Sequence, residues 1–315
     1  MPKEKVLELL LKNEQNYISG ELISKELNVS RAAVCKDVKL LRAEGYEIES
    51  VTKRGYKLCR DRNILSSLSI KNKLNDERLG NNIIILDSIT STNTYAKMLA
   101  MDGAPEYTIV LAREQTGGRG RMGHSFESVR DKGIYMSVIL RPQAKHTFSL
   151  TAYAAVALSK AIENVTQITP DIKWVNDLFL NGRKIAGILT EVSIEAESSN
   201  IEYVVLGFGL NVLNNPDDFD NNLQDIATSL YAATGRSFSL NELATAIINE
   251  LPQLASAWAA RDPEYLEYFK AHCITTGNSF TLKSTNTTVK AIDIDEDFRL
   301  IIEYDNGKRE AITSL

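Results

Sequence analysis

The hydrophobic pattern of the first 60 residues places the tightest limit on the fold. Apolar residues recur at helical spacing in three short segments, "KEKVLELLLKN", "SGELISKELN" and "SRAAVCKDVKLLRAEG". Ser19 and Ser30 stand where N-caps belong, and Gly45 stands where the third helix should end. The following "YEIESVTKRGYKL" has the pattern of a two-stranded hairpin with a basic turn. We therefore predict a separate small domain over residues 1–62.

Helix, helix, turn, helix and basic hairpin is the order of a winged helix-turn-helix, a DNA-binding module. Residues 1–60 carry 12 Lys and Arg against 9 Asp and Glu, a net charge of +3, while the remaining chain carries 24 against 32, a net charge of −8. This asymmetry favours a phosphate-contacting module on an acidic body. The alternative is a helical protein-interaction domain whose basic side chains are merely solvated. The predicted DNA contacts are Ser30, Arg31, Ala32, Lys36, Lys53 and Arg54.

The bulk properties of the chain indicate a cytoplasmic protein without membrane association. Its three cysteines, Cys35, Cys59 and Cys273, are far apart and form no CxxC, so neither a disulfide framework nor a structural zinc site is expected. No apolar run approaches the roughly 18 residues that span a bilayer, and the N-terminus lacks the apolar core of a signal peptide. The net charge of −5 argues against nonspecific nucleic-acid binding by the whole surface.

Residues 65–270 combine strands and helices without the regular alternation of a doubly wound parallel sheet. Strands are predicted in "NNIIILDSI", "YTIVLARE", "GIYMSVILRP", "DIKWVNDLFLNGRKIAGILTEVS" and "EYVVLGFGLNV", with a hairpin turn at Asn181-Gly182. Helices are predicted in "TNTYAKMLAM", "SLTAYAAVALSKAIENV" and "SLNELATAIINELPQLASAWAA". A mixed sheet flanked by helices is the expected architecture of this segment.

The pattern changes again in residues 271–315. Short strands are predicted in "SFTLK", "TTVKAIDID", "FRLIIEYD" and "REAITS", separated by turns such as Asp305-Asn306-Gly307. Four short strands in a segment of this length indicate a small SH3-like β-barrel. The whole chain is therefore predicted to be an α+β protein of three domains.

The segment "TGGRGRMGHSF" at 116–126 has the glycine spacing of a dinucleotide-binding fingerprint. That interpretation fails, because no helix follows the glycines and no acidic residue lies about 20 positions further on. The glycines still allow close approach of backbone amides to a ligand, and Arg119 and Arg121 offer fixed positive forks. An anion-binding loop is the functional interpretation, and a flexible basic surface loop is the alternative.

Three further segments carry candidate site residues. Lys184 precedes an apolar strand that Gly187 interrupts, so its ammonium could neutralise an anion in an apolar pocket, or point into water from a sheet edge. Asp177 could bind a metal or orient a polar ligand. In "VVLGFGLNV", Gly207 and Gly209 are costly in a strand unless a ligand or another segment passes closely.

The third segment, "TSTN", provides Ser91, Thr92 and Asn93 at the start of a helix. One of these side chains is expected to cap the helix, and the others are free to bind a polar ligand. Plain N-capping is the alternative for each of them.

Taken in order, these motifs resemble the bifunctional biotin–protein ligase and biotin operon repressor family (BirA-like). The resemblance rests on STN at 91–93, Gln115 with the Gly-Arg-Gly-Arg loop at 118–121, KWxND at 173–177, RKIAGIL at 183–189 and GxGxN at 207–211. A winged helix before these motifs and an SH3-like domain after them complete the family's architecture. The resemblance also implies that the central domain has a class II synthetase-like fold.

The resemblance implies a two-step reaction. Biotin and ATP would form biotinyl-5′-AMP and pyrophosphate, and biotin would then pass to a lysine of a biotin carboxyl carrier protein. Lys184, Arg121 and Asp177 are the implied catalytic residues, with Asp177 also a ligand of Mg²⁺ beside the ATP phosphates. The other implied substrate-binding residues are Ser91, Thr92, Asn93, Gln115, Gly118, Arg119, Gly120, Asn176, Gly187, Gly207, Gly209 and Asn211.

The resemblance further implies regulation by the same adenylate. As corepressor it would favour a homodimer that pairs two winged helices on operator DNA. His124 and Phe126 replace an arginine and a tryptophan common in the family, and Val175 replaces a proline. Two other functions stay open from sequence: a ligand-sensing transcription factor that has lost ligase activity, and a lipoate ligase.

Overall fold

The computed structural model describes residues 2–13, 16–60, 63–142, 147–194, 200–282 and 285–314. Its N-terminal part has the predicted order of three helices and a hairpin. These elements are α1 (Pro2–Lys12), α2 (Gly20–Leu27), α3 (Arg31–Ala43), β1 (Glu47–Val51) and β2 (Gly55–Arg60). The predicted end of this domain, residue 62, lies outside the described residues.

Local signals in the sequence explain where the N-terminal helices begin and end. The Ser19 hydroxyl accepts from the backbone N–H of Leu22 at 3.1 Å, and Ser30 caps α3 in the same way. Gly45 follows the end of α3 with a φ of 99°, a conformation that glycine adopts without strain. Val34, Val38 and Leu41 of α3 are buried with residues of α1 and the hairpin in a core distinct from the main one.

The central part contains one seven-stranded sheet and the helices that cover it. Its main elements are β3 (Ile83–Leu86), α5 (Thr92–Met101), β4 (Ile109–Ala112), β5 (Gly133–Leu140), α6 (Leu150–Thr166), β6 (Asp171–Lys173), β7 (Asp177–Leu180), β8 (Arg183–Ile194), β9 (Ile201–Asn211) and α8 (Leu240–Ala260). The strand order is β3-β4-β5-β9-β8-β7-β6. Of the strand pairs between described residues, β3–β4 is parallel and the others are antiparallel, which confirms the predicted mixed sheet.

Helices pack on both faces of this sheet. On one face, α6 and α8 pack together over inward-facing residues of β5, β8 and β9 in the main core. On the other face, α5 buries Ala96 and Ala100 against Val110, Ile139 and Val205. The start of α5 therefore lies beside the central strands, where the polar residues that precede and begin the helix can reach them. The β7–β8 turn has Asn181 and Gly182 both at positive φ, as a tight hairpin requires.

Three short helices were not predicted from the sequence. They are α4 (Ser67–Lys71), α7 (Leu230–Thr234) and α9 (Pro263–His272). The first two are too short to show a helical hydrophobic period. The third, α9, begins with a proline at N1 after the cap residue Asp262, and these two residues are a helix-start signal in the sequence. Because α9 ends at His272, the expected boundary between residues 270 and 271 falls in its last turn. No helix within the described ranges is both long and apolar enough to cross a membrane.

The C-terminal strands form an open sheet and not the predicted closed barrel. The strands β10 (Ser279–Leu282), β11 (Thr287–Ile294), β12 (Leu300–Tyr304) and β13 (Arg309–Ile312) pair antiparallel in chain order, and no pairing among the described residues closes the sheet. Its apolar residues, including Val289 and Ile302, are buried in the main core with the central part. The sheet thus covers its apolar face with its neighbour, so the SH3-like barrel is not confirmed.

Candidate functional site

A cavity of about 290 Å³ opens where the start of α5, the glycine-arginine loop at 116–126 and strands β7 to β9 meet. Most of the predicted site residues line it. They are Ser91, Thr92, Asn93, Gln115, Arg119, Gly120, Arg121, Asn176, Asp177, Lys184, Gly187, Gly207 and Gly209. Residues separated by more than 100 positions in the sequence therefore face one space.

Lys184 and Asp177 form an ion pair in this cavity. The Lys184 ammonium lies 2.7 Å from Oδ1 of Asp177, and both side chains are partly exposed. A Cβ added to Gly187 would lie 3.1 Å from the Lys184 Nζ, so the bare glycine leaves room for the ammonium. The backbone of Lys184 is fixed as well, because its N–H donates to Ile226 O and its carbonyl accepts from Thr228 N–H.

The glycine-arginine loop folds back on itself over the cavity. The Gly120 N–H donates to His124 O at 2.7 Å, and the Phe126 N–H donates to Gly118 O at 2.9 Å. Arg121 reaches across to the residue before β7, where its guanidinium donates to Asn176 Oδ1 at 2.9 Å. Two cations of the site are thus anchored on consecutive residues, Arg121 on Asn176 and Lys184 on Asp177.

A second polar group lies where α5 begins. The backbone N–H of Thr92 donates to Gln115 Oε1 at 2.8 Å, and the Thr92 hydroxyl lies 3.0 Å from the same oxygen. The Gln115 amide nitrogen donates in turn to Ser128 Oγ at 2.8 Å. Ser91 caps α5 through Thr94 N–H, as the capping alternative required. The bonds to Thr92 and Ser128 fix both polar atoms of the Gln115 amide.

Asn93 connects this group to charges on the sheet. Its Oδ1 accepts from the buried Ser137 hydroxyl at 2.6 Å, and its Nδ2 donates to Glu191 Oε2 at 2.9 Å. Lys97 donates to the other oxygen of Glu191. Burial raises the pKa of the Glu191 carboxyl, but the hydrogen bonds from Lys97 and Asn93 and the positive charges of Lys97 and Arg119 together outweigh it and leave that pKa below its usual value.

Gly207 and Gly209 of β9 each leave room for a different neighbouring side chain. A Cβ at Gly207 would lie 2.2 Å from Asn93 Oδ1, and one at Gly209 would lie 2.7 Å from the Phe126 ring. Tight packing therefore accounts for both, although both also line the cavity. The Phe126 ring covers this region and meets the Tyr135 ring edge-on, with centroids 6.5 Å apart.

Gly118 and Asn211 are not among the residues that line the cavity. Gly118 packs against the other end of its own loop, where a Cβ would lie 2.3 Å from Phe126 O. Asn211 is buried and donates to Thr228 O at 3.1 Å, while its Oδ1 has no hydrogen-bond partner among the described residues. The predicted ligand contacts of these two residues therefore stay predictions.

Several residues that line the cavity, chiefly apolar ones, were not predicted from the sequence. The apolar ones are Trp174, Met122, Met136, Ile188, Leu189 and Phe208. Trp174 also ties the cavity to the C-terminal sheet, because its indole N–H donates to Phe298 O at 2.8 Å. The only signal for these residues was their proximity to the polar motifs, since apolar strand residues ordinarily indicate core. Ser137 and Glu191 carried no motif at all.

Asp177 offers little for a metal on its own. Within the described ranges, no three Asp, Glu, His or Cys side chains come together as a metal site. Asp177 Oδ1 already accepts from Lys184 and Asn176. Since Mg²⁺ is often held by one or two carboxylates together with substrate phosphates, a single carboxylate fits an ion that arrives with a nucleotide.

The predicted DNA contacts lie on the N-terminal part, in α3 and in the hairpin. Arg31, Ala32 and Lys36 are exposed on α3, and Lys53 and Arg54 are exposed in the hairpin turn. The Ser30 hydroxyl is engaged as the cap of α3. The Arg54 guanidinium lies over the Tyr17 ring at 4.2 Å, which orients the wing.

Comparison with known proteins shows that the central part has the fold of a biotin protein ligase. The Biotin/lipoate A/B protein ligase family model matches residues 85–211, and an HTH domain model matches residues 3–57. The biotin protein ligase from Aquifex aeolicus, solved in complex with biotin and ATP, has a TM-score of 0.65 at 24% identity. The match covers 74% of this chain and 96% of the Aquifex chain, which shows the shared fold.

Relatives with higher sequence identity identify one family. The bifunctional ligase/repressor BirA of Bacillus subtilis is 36% identical over 97% of this chain and 95% of its own length. The biotin–[acetyl-CoA-carboxylase] ligase of Mycobacterium tuberculosis is 30% identical over 71% of this chain and 83% of its own. The chain belongs to the BirA family of bifunctional ligase/repressors, which confirms the family indicated by its motifs.

Proposed function

We propose that this protein joins biotin to ATP and transfers the activated biotin to a carrier lysine. The observation that carries the proposal is the cavity in which Lys184 and Arg121 are held beside Asp177 and Asn176. Attack of a carboxylate on a polyphosphate brings two anions together, and fixed cations offset their repulsion in the transition state. This arrangement supports acyl-adenylate formation.

In the first step, an oxygen of the biotin carboxylate attacks the α-phosphorus of ATP. The bond from that phosphorus to the oxygen that bridges it to the β-phosphate breaks, and pyrophosphate leaves. We assign Lys184 to the biotin carboxylate and the developing acyl phosphate, and Arg121 with Arg119 to the phosphate. Asp177 and Asn176 hold Lys184 and Arg121 in position.

The other end of the ligand is the cyclic urea of biotin. Thr92 and Gln115 present polar atoms that their mutual hydrogen bonds hold in place. A buried urea needs such partners, because an unpaired polar group in an apolar pocket costs roughly 1–3 kcal/mol. Phe126 and Trp174 supply apolar cover for the rest of the ligand.

In the second step, the neutral amine of a carrier lysine attacks the carbonyl carbon of the adenylate, its nitrogen loses a proton, and the bond from that carbon to the phosphate oxygen breaks so that AMP leaves. No nucleophile from this chain is required, because the adenylate is itself the activated acyl group. We propose a biotin carboxyl carrier protein as the acceptor. Mg²⁺ would neutralise the ATP phosphates when bound, with Asp177 as its protein ligand and Asn176 beside it.

We also propose that biotinyl-5′-AMP acts as corepressor, promoting a homodimer that pairs two winged helices on operator DNA. The exposed basic side chains of α3 and the wing support a DNA contact. We place the protein in the cytoplasm, where ATP is available and where the exposed thiols of Cys35 and Cys59 would stay reduced.

Exchange of labelled pyrophosphate into ATP tests the first step. We expect exchange that depends on biotin and is absent with lipoate in its place. Exchange that needs lipoate and not biotin would assign a different substrate. Biotin binding without any exchange would support a sensor that has lost ligase activity.

A further inference from the structure

Seven side chains form a continuous polar chain from the surface of α5 to the loop before β5. In order, this polar chain consists of Lys97, Glu191, Asn93, Ser137, Thr92, Gln115 and Ser128. The contacts along it are 2.6–3.0 Å long. Three of its members, Asn93, Thr92 and Gln115, line the cavity. What the other members do for the site follows from which groups can donate and which can only accept.

The Glu191 end of the polar chain fixes the orientation of the Asn93 amide. A carboxylate only accepts and an ammonium only donates, so Lys97 and Asn93 both donate to Glu191. The same Asn93 Nδ2 lies 3.4 Å from Leu189 O, which also only accepts. The amide oxygen of Asn93 must therefore face Ser137. A Cβ at Gly207 would lie 2.2 Å from this oxygen, so the glycine makes the orientation sterically possible.

The orientation of Asn93 then determines the hydrogen bonds of two hydroxyl groups. Ser137 has one proton and is placed to donate it either to Asn93 Oδ1 at 2.6 Å or to Thr92 Oγ1 at 2.8 Å; the shorter contact, to an amide oxygen that can only accept, takes it. Ser137 consequently has no proton for the Thr92 hydroxyl, 2.8 Å away. The Thr92 proton goes to Gln115 Oε1 or to Ser137 Oγ, and both choices keep it within the protein. Towards the cavity, Thr92 is left with lone pairs alone.

We propose that Glu191 is a positioning residue that fixes, through Asn93 and Ser137, the Thr92 hydroxyl as an acceptor for an N–H group of the ligand. This inference rests on the proposed function, in which the ligand is the cyclic urea of biotin. Glu191 does not line the cavity, so its effect on the ligand is indirect. Lys97 engages the other carboxylate oxygen of Glu191 but does not itself set the polarity.

Replacing the Glu191 carboxylate with an amide reverses this polarity. In Glu191→Gln, the Lys97 ammonium takes the single amide oxygen, which leaves the amide N–H groups facing Asn93. Asn93 then rotates to present its oxygen to the new amide and its NH₂ to Ser137, and it gives up the weaker 3.4 Å contact of Nδ2 with Leu189 O. Ser137 becomes the acceptor and donates its own proton to Thr92, which occupies a lone pair that the ligand would use.

The Lys97→Met change distinguishes an effect on the direction of the hydrogen bonds from an effect on side-chain packing. With Lys97→Met alone, Glu191 still accepts from Asn93, and the polarity of the polar chain is unchanged. In the double variant Lys97→Met/Glu191→Gln, no cation claims the amide oxygen. It can then accept from Asn93 and restore the original direction. A purely structural role of these residues predicts instead that the double variant is the worst of the three.

The test is steady-state pyrophosphate exchange with biotin and with ATP varied in turn, on the full chain. Glu191→Gln should raise KM for biotin roughly tenfold with kcat and KM for ATP nearly unchanged, while Lys97→Met and the double variant stay within about threefold of wild type. Glu202→Gln is the matched control, because Glu202 is an exposed carboxylate on β9 that also accepts a side-chain hydrogen bond, from the Ser193 hydroxyl.

Two results would overturn the inference: an unchanged biotin KM in Glu191→Gln, or a double variant worse than Glu191→Gln alone. If Glu191→Gln does not fold, as judged by its thermal melt, Lys97→Met still decides, because a tenfold rise in biotin KM there contradicts the proposal. Absence of biotin-dependent exchange in the wild-type protein would instead remove the proposed function on which the inference rests.

Discussion

The Lys184 ammonium and the Asp177 carboxylate lie 2.7 Å apart over the bare backbone of Gly187. Asp177 pairs with Gly187 across the β7–β8 ladder, so the sheet register itself brings the carboxylate under the lysine. An ammonium on a four-carbon stem is otherwise mobile, and the carboxylate and the strand together confine it. The pair thus places a positive charge at a defined point of the cavity.

Replacing Lys184 should strongly slow adenylate formation without unfolding the protein. In Lys184→Gln the side chain can still bond to Asp177, but the positive charge is lost, and we expect kcat for exchange to fall by about 10²-fold or more. The measurement is biotin-dependent pyrophosphate exchange, with Lys25→Ala, an exposed residue of α2, as control. Full exchange in Lys184→Gln would remove this residue from the mechanism.

Gly207 should tolerate no side chain. The Cβ of Gly207→Ala would lie 2.2 Å from Asn93 Oδ1, so either Asn93 or strand β9 has to move. We expect the free energy of unfolding to fall by about 1–3 kcal/mol and biotin affinity to drop with it. Urea denaturation and biotin titration measure the two effects. Gly80→Ala serves as the control, since a Cβ there would meet only side-chain atoms of Lys71 and Leu74, at 3.2 and 3.3 Å, and no backbone.

Trp174 should couple the C-terminal sheet to the cavity. Trp174→Phe keeps an aromatic ring but removes the N–H that donates to Phe298 O, which leaves a buried carbonyl without that donor. The expected decrease is about 1–3 kcal/mol in the free energy of unfolding, measured with urea. Trp258→Phe is a matched control, because its N–H donates to a side-chain hydroxyl at a longer 3.2 Å, away from the cavity. Equal stability of Trp174→Phe and wild type would contradict the coupling.

Much of this molecule could be predicted from sequence, because its signals are local. Caps at Ser19 and Ser30, and the Asn181-Gly182 turn, act within a few residues, and the structure has each of them. The site depended instead on motifs whose order resembles a known family. Ser137 and Glu191 escaped detection because their roles arise only when β5, β8 and α5 are brought together.

The C-terminal domain shows a second limit of sequence reasoning. Strand patterns located β10 to β13 correctly, but alternation says only that one face is buried, not what covers it. The structure packs this face against the central part, with Phe298 beside Tyr153 and Phe269. A closed barrel was therefore one of two ways to satisfy the same pattern.

The wing and α3 should act on DNA independently of ligation. Lys36→Ala and Lys53→Ala each remove one exposed cation, so operator affinity should fall in both variants. The slope of log K against log salt should also become shallower by about 1 in each variant, because one phosphate fewer is neutralised. Pyrophosphate exchange should stay at the wild-type rate. Gel-shift titrations at several salt concentrations make the measurement, with Lys25→Ala again as control. Unchanged binding in both variants would show that this surface does not touch the DNA.

Transfer of labelled biotin to a carrier domain tests the central claim most directly. With ATP, the wild-type protein should label a biotin carboxyl carrier domain stoichiometrically on one lysine. Label should be absent without ATP, and absent from a carrier in which that lysine is replaced by arginine. A carrier that stays unlabelled, although the protein binds biotin and ATP, would contradict the assignment of this chain as a biotin–protein ligase.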